Sequence, residues 1–84
     1  MYYVYLIQRK VDKSYYIGYT SDLRKRIQEH NYGKTKSIKH KIPYMLIYYE
    51  AYTNKTCARK REIKLKTNSY RKEQLLKRVE NIIQ

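Results

Sequence analysis

Two short aromatic and β-branched runs stand close together at the start of the chain, and they restrict its fold more than any other feature. Residues 2–8 read Tyr-Tyr-Val-Tyr-Leu-Ile-Gln, and residues 15–19 read Tyr-Tyr-Ile-Gly-Tyr. Each has the length and composition of a strand, and the polar stretch from Arg9 to Ser14 closes a hairpin between them. Alternation gives each strand two faces. Tyr3, Tyr5 and Ile7 fall on one face of the first strand, with Tyr2, Val4 and Leu6 on the other. Tyr16 and Gly18 share a face opposite Tyr15, Ile17 and Tyr19. Gly18 removes a side chain beside Tyr16, which predicts room for a substrate to approach the backbone.

The remaining elements follow from periodicity and punctuation. Thr20 or Ser21 can cap a helix whose positive end suits Asp22, and which runs to about Asn31 with Gly33 as its stop. Residues 32–43 read as a basic loop ending at Pro43, the only proline. Residues 44–52 form a third strand. Thr53 or Asn54 caps a second helix to about Lys66. Thr67-Asn68-Ser69 breaks the chain before a third helix, from about Tyr70 to Ile82. The order is ββαβαα, an α+β fold with a three-stranded antiparallel sheet. Eighty-four residues make one domain over residues 1–84, and a chain of this size has a thin core.

Charge narrows the partners. Twenty Lys and Arg against seven Asp and Glu leave a net charge of +13, a field that favours a polyanion. The basic residues bunch at Lys34, Lys36, Lys39 and Lys41. Twelve tyrosines accompany them, with rings that stack on bases and hydroxyls that bond phosphate. Nucleic acid is favoured over a membrane surface, because no helix pairs a basic face with a broad apolar one. The apolar amino-terminal run is too short for a membrane span and lacks the leading charge of a signal peptide. Cys57 is the only cysteine, which excludes an internal disulfide and fits a reducing compartment. These features predict a soluble, cytoplasmic protein.

Several residues have the chemistry of a phosphodiester-cutting site. In the first helix Arg26 and His30 share the apolar stripe of Leu23 and Ile27, where a charge is costly without a partner. A phosphate is such a partner for the forked donors of Arg26. Alone, the same pattern equally describes an Arg whose stem packs on the sheet and a His that is a cation at the helix end. Glu62 is the only acid in its helix. A lone carboxylate suits Mg²⁺, which keeps waters and takes phosphate oxygens as further ligands. It equally suits a surface ion pair with Lys66. Since the chain has no Phe or Trp, most of the tyrosines must be core filler.

Taken together, the blocks resemble the GIY-YIG nuclease superfamily. The chain is similar to the amino-terminal nuclease domain found in the bacterial excinuclease, and most of all to the small stand-alone members. The resemblance rests on Tyr3-Val4-Tyr5, Tyr16-Ile17-Gly18, the segment Thr20 to His30, Lys36-Ser37-Ile38-Lys39-His40, Leu46 to Glu50, and Ala58 to Glu62. It spans residues 2 to about 70. It implies a three-stranded antiparallel sheet packed with helices, and an endonuclease that uses one divalent ion, Mg²⁺ or Mn²⁺. Tyr5 and Tyr16 match the motif tyrosines, Arg26 the phosphate-binding arginine and Glu62 the metal carboxylate. His30 and His40 match histidines of some branches. The chain departs from the pattern at Tyr3, where the family has Gly, and at Tyr19, where some members have Lys. No clear counterpart exists for the Asn that many members carry after the metal helix.

The resemblance thus implies hydrolysis of nucleic acid, DNA ahead of RNA. Either Tyr16 or His30 would take the proton from water. A free tyrosine titrates near pH 10 and a free histidine near 6.5, so His30 needs less tuning. Lys34, Lys36, Lys39, His40 and Lys41 are expected to hold the backbone. The alternative is a basic nucleic-acid-binding module without catalysis.

Overall fold

Alternating strands and two amphipathic helices give the chain one sheet with two different faces. The computed structural model describes residues 1–31 and 44–83, with side chains to Glu80. Its elements are β1 (Tyr2–Arg9), β2 (Tyr15–Thr20), α1 (Leu23–Asn31), β3 (Tyr44–Tyr52), α2 (Lys55–Thr67) and α3 (Ser69–Ile83). This is the expected ββαβαα order. The sheet is antiparallel, in the order β2-β1-β3. No helix among the described residues is long and apolar enough to cross a membrane. The expected basic loop, with Gly33, Lys34, Lys36, Lys39, His40 and Lys41, lies outside the described residues.

The β1–β2 loop turns on Lys13, whose positive φ of 63° is uncommon for a residue with a side chain. The Asp12 carboxylate holds the turn by accepting from the Ser14 amide at 3.0 Å and hydroxyl at 2.8 Å. The expected caps need one correction. Asp22, and not Thr20 or Ser21, caps α1, by accepting the Lys25 amide at 3.1 Å. Thr20 acts one step earlier, accepting the Asp22 amide. Asn54 caps α2 through the Cys57 amide. Asn68 both ends α2 and caps α3, its backbone N–H donating to the Lys64 carbonyl and its side chain accepting from Arg71.

One face of the sheet carries the main core. Val4, Leu6 and Ile17 meet Ala58 and Leu65 of α2 and Leu75 and Val79 of α3. Each such buried side chain is worth ~1.5–3 kcal/mol, which holds helices that would be marginal alone. The other face buries Tyr5, Ile7 and Tyr44 under Leu23 and Ile27 of α1. A register shift lies where Leu6 pairs with Tyr48 but Ile7 pairs with Leu46. The extra residue in β3 reverses its alternation. Tyr44 and Leu46 are thereby turned to the α1 face, although Tyr48, Glu50 and Tyr52 point the other way.

Candidate active site

The α1 face owes its polar cluster to the hairpin register. Tyr5 stands opposite Gly18, and Ile7 opposite Tyr16. The sequence predicts that the space above Gly18 is open for a substrate; instead the Tyr5 phenol fills it. A Cβ on Gly18 would collide with the Tyr5 hydroxyl and Cζ and lie 2.9 Å from its Cε1. The glycine is therefore a seat for Tyr5, whose ring would otherwise have no place on this face.

The Tyr5 hydroxyl lies 2.7 Å from His30 Nε2. Both side chains are buried, with Tyr5 1% and His30 0% exposed. His30 is ringed by tyrosines: its centroid lies 5.3 Å from Tyr16, edge-on, 5.7 Å from Tyr5 and 6.1 Å from Tyr44. Burial and then the neighbouring Arg26 charge push the imidazole down to about 4. It is neutral at pH 7, not a helix-end cation, and the ease of titration expected for it near 6.5 is lost. Burial pushes the Tyr5 phenol up to about 12, although Arg26 beside its oxygen pulls the other way. The Tyr5 hydroxyl and His30 Nε2 share one hydrogen bond, whose direction follows the imidazole tautomer. Among the described residues Nδ1 has no partner.

Arg26 is half-buried. Its guanidinium meets Glu29 only at 3.9 Å, which leaves its donors largely unspent. A cleft of about 560 Å³ opens beside it, lined also by Tyr19, Thr20, Lys25 and Glu29. A second groove of about 570 Å³ runs along the other flank of α1, between Leu23, Ile27 and the rings of Tyr3 and Tyr49.

Glu62 reaches this neighbourhood from α2. It sits in the buried stripe Ala58, Glu62, Leu65 and is 6% exposed, deeper than a surface ion pair. Both oxygens are engaged: Lys66 Nζ donates to Oε2 at 2.9 Å, and Arg59 lies 3.2 Å from Oε1. Arg59 also lies over the Tyr19 ring at 5.0 Å, and Lys66 lies 5.8 Å from the centre of the Tyr16 ring. Tyr16 and Tyr19 point to opposite faces of β2, so the Glu62 cluster straddles the free edge of that strand. Tyr5 and Tyr16 pack against His30, Arg26 lies one turn before it on α1, and Glu62 is linked to Tyr16 through Lys66. Tyr16 and Arg26 are partly exposed, and Tyr5, His30 and Glu62 are buried.

The donor set fits a hard divalent ion in one limited way. Among the described residues no group of three His, Cys, Asp or Glu side chains converges, and Glu62 is the buried carboxylate beside the β2 edge. Mg²⁺ accepts this arrangement when phosphate oxygens and waters complete its shell. Lys66 and Arg59 are long, half-exposed cations that an incoming cation can displace. The pairing of Arg59 with Glu62 goes beyond the sequence expectations, although its spacing of three residues marks it. The Tyr44 ring has no such signal, since it depends on the β3 bulge.

Comparison with known proteins identifies the family and supports the fold. Residues 1–75 match the model of the GIY-YIG catalytic domain. A UPF0213 protein of Streptococcus pyogenes serotype M3 is 39% identical over 74 residues, which are 87% of this chain and 79% of the relative. A UPF0213 protein of serotype M5 is 38% identical over the same length, with the same coverage. The solution NMR structure of the UPF0213 protein BH0048 from Bacillus halodurans is similar with a TM-score of 0.56 at 37% identity. That likeness covers 90% of this chain and 82% of that one.

Proposed function

The chain belongs to the GIY-YIG family, and we propose that it is a metal-dependent endonuclease hydrolysing phosphodiester bonds in nucleic acid, DNA ahead of RNA. The observation that carries this reading is a buried carboxylate, Glu62, whose partner Lys66 lies over the Tyr16 ring at the edge of β2, with the half-free Arg26 on α1. A pure binder gains nothing from an inward acid among cations. Glu62 would hold one Mg²⁺ or Mn²⁺, which supplies charge stabilisation of the scissile phosphate when bound.

The chain's own residues divide the remaining work. Arg26 directs forked donors at a non-bridging phosphate oxygen. Tyr16, partly exposed at the edge strand, acts in its phenolate form: its own proton leaves to solvent first, and the phenolate then takes the proton of the attacking water. His30 is sealed from solvent, so it positions the Tyr5 and Tyr16 rings and does not meet water itself. Tyr5 stays protonated and holds the His30 ring through the hydrogen bond between its hydroxyl and Nε2. This ranks Tyr16 ahead of His30 as general base.

The test is a panel of duplex, flap, bubble and single-stranded substrates with Mg²⁺, Mn²⁺ or EDTA. Glu62→Gln is expected to reduce cleavage by about a thousandfold, roughly 4 kcal/mol of barrier stabilisation. Its binding in EDTA should be unchanged or tighter. Tyr16→Phe should cost about 10²–10⁴ in rate and His30→Gln less; the reverse order would make His30 the base. One observation favours the second reading, a non-catalytic nucleic-acid-binding module: both Glu62 oxygens are already paired. Wild type that cuts nothing with either metal, while Glu62→Gln binds as wild type does, would establish that reading.

A further inference from the structure

On the far side of the sheet from Tyr16 and His30, the junction of α2 and α3 forms a cavity of about 430 Å³. Its lining includes Arg61, Arg71, Arg78, Asn68, Gln74 and the phenol of Tyr70. We infer that this arginine-lined cavity binds a phosphate of a nucleic-acid backbone, at a place separate from the site at β2. The inference rests on the nucleic-acid reading above, and assigns a second surface to it.

Three guanidiniums in one concavity repel each other unless something anionic joins them. All seven acidic residues of the sequence lie in the described segments. Six have other places. Asp12 pairs with Arg9, and Asp22 caps α1. Glu29 faces Arg26, Glu62 holds Lys66 and Arg59, Glu73 meets Lys77, and Glu80 accepts from Tyr15. The seventh, Glu50, accepts from Arg61 through Nε at 2.9 Å and Nη2 at 3.0 Å, and from the hydroxyls of Tyr48 and Tyr52 at 2.6 Å each. Its charge is thus spent on the wall of the cavity. Among the described residues neither Arg71 nor Arg78 has a carboxylate within ion-pair distance.

The rest of the lining suits a phosphodiester. Arg presents a planar fork that matches two phosphate oxygens, and Arg61 is already fixed by Glu50, so little ordering entropy is lost there. Asn68 and Gln74 offer amide donors. Tyr70, 68% exposed at the rim, offers a ring for an adjoining sugar or base.

The experiment compares the full-length wild type with Arg71→Ala/Arg78→Ala, in EDTA, on a short duplex across a range of KCl. The expected result is weaker binding by the variant and a salt slope flatter by about 0.9 for each phosphate that is no longer neutralised. Arg71→Lys/Arg78→Lys should recover most of the slope, because it keeps the charges. Circular dichroism checks that both variants are folded. In a parallel arm, the Nε–H signals of Arg71 and Arg78 are followed by NMR during titration with the duplex and with inorganic phosphate. Shifts with the duplex support the inference. Shifts with phosphate alone make the cavity a free-anion site and overturn it. Equal affinity and equal slope for wild type and the Ala variant also overturn it, while leaving the β2 site untouched. A wild type that binds no nucleic acid sinks both readings together.

Discussion

The imidazole of His30 has no exposed surface, and that burial has a consequence for stability. An unfolded histidine binds a proton near pH 6.5, whereas burial followed by the Arg26 charge pushes the folded group down to about 4. Between those values the unfolded chain binds more protons than the native one, so stability rises with pH across the window. The contribution is fully present above pH 6.5 and is lost as pH falls through 4. At about 1.4 kcal/mol per pK unit the full contribution is about 3.5 kcal/mol, of which roughly 2–3 kcal/mol is lost between pH 7 and 4.5. Urea unfolding of wild type and His30→Gln at pH 4.5 and 7 measures it: the wild type should lose that much more stability than the variant on acidification. Parallel declines would mean that His30 titrates alike folded and unfolded. The identity of the cluster residues is readable in the sequence because they sit in ordered blocks. Their depth is not. Whether a histidine on a helix stripe meets water or three phenols depends on what stands opposite, and here Gly18 and a bulge in β3 decide that.

Elements are legible where one period runs undisturbed. β1 and β2 follow alternation throughout and β3 does so on each side of its bulge, and α2 and α3 follow their caps and the break at Thr67-Asn68-Ser69. The bulge between the Leu6 and Ile7 pairings leaves no mark in composition, yet it turns Tyr44 toward His30. The clamp between α2 and β3 is equally hidden. Glu50 and Arg61 belong to different elements, and only the packed sheet brings them together. Burial would push the Glu50 carboxyl up, but donation from Arg61, Tyr48 and Tyr52 outweighs it and holds the group below its ordinary value. Removing one member of so enclosed a pair leaves the others unpaired. Glu50→Gln is therefore expected to destabilise the fold by about 2–3 kcal/mol. Arg61→Ala should cost a similar amount. The double variant should cost clearly less than the sum of the two single variants, because the interaction is removed only once. Additive effects in denaturant unfolding would show that the clamp contributes no coupling.

For the whole molecule, a net charge of +13 acts on folding and on binding in opposite directions. All seven acids are engaged by cations, phenols or a helix cap, which leaves the surplus of Lys and Arg repelling one another across a small body, 29 × 27 × 21 Å for the described residues. Such repulsion works against the compact state, and salt screens it. The free protein should therefore unfold at higher urea concentration as KCl rises from 50 to 200 mM. Over the same range a bound polyanion should be released. Each neutralised phosphate contributes about −0.9 to the slope of log K against log salt on duplex, so four of them lower affinity about a hundredfold. Lys34, Lys36, Lys39 and Lys41 are expected to supply part of that slope. Replacing two of them by Ala should flatten it by about 1.8 and weaken binding alike on every sequence. The two salt responses check each other. A protein that loses stability with salt as fast as it loses nucleic acid would owe its release to unfolding, and the charge would not be acting as a phosphate-binding field.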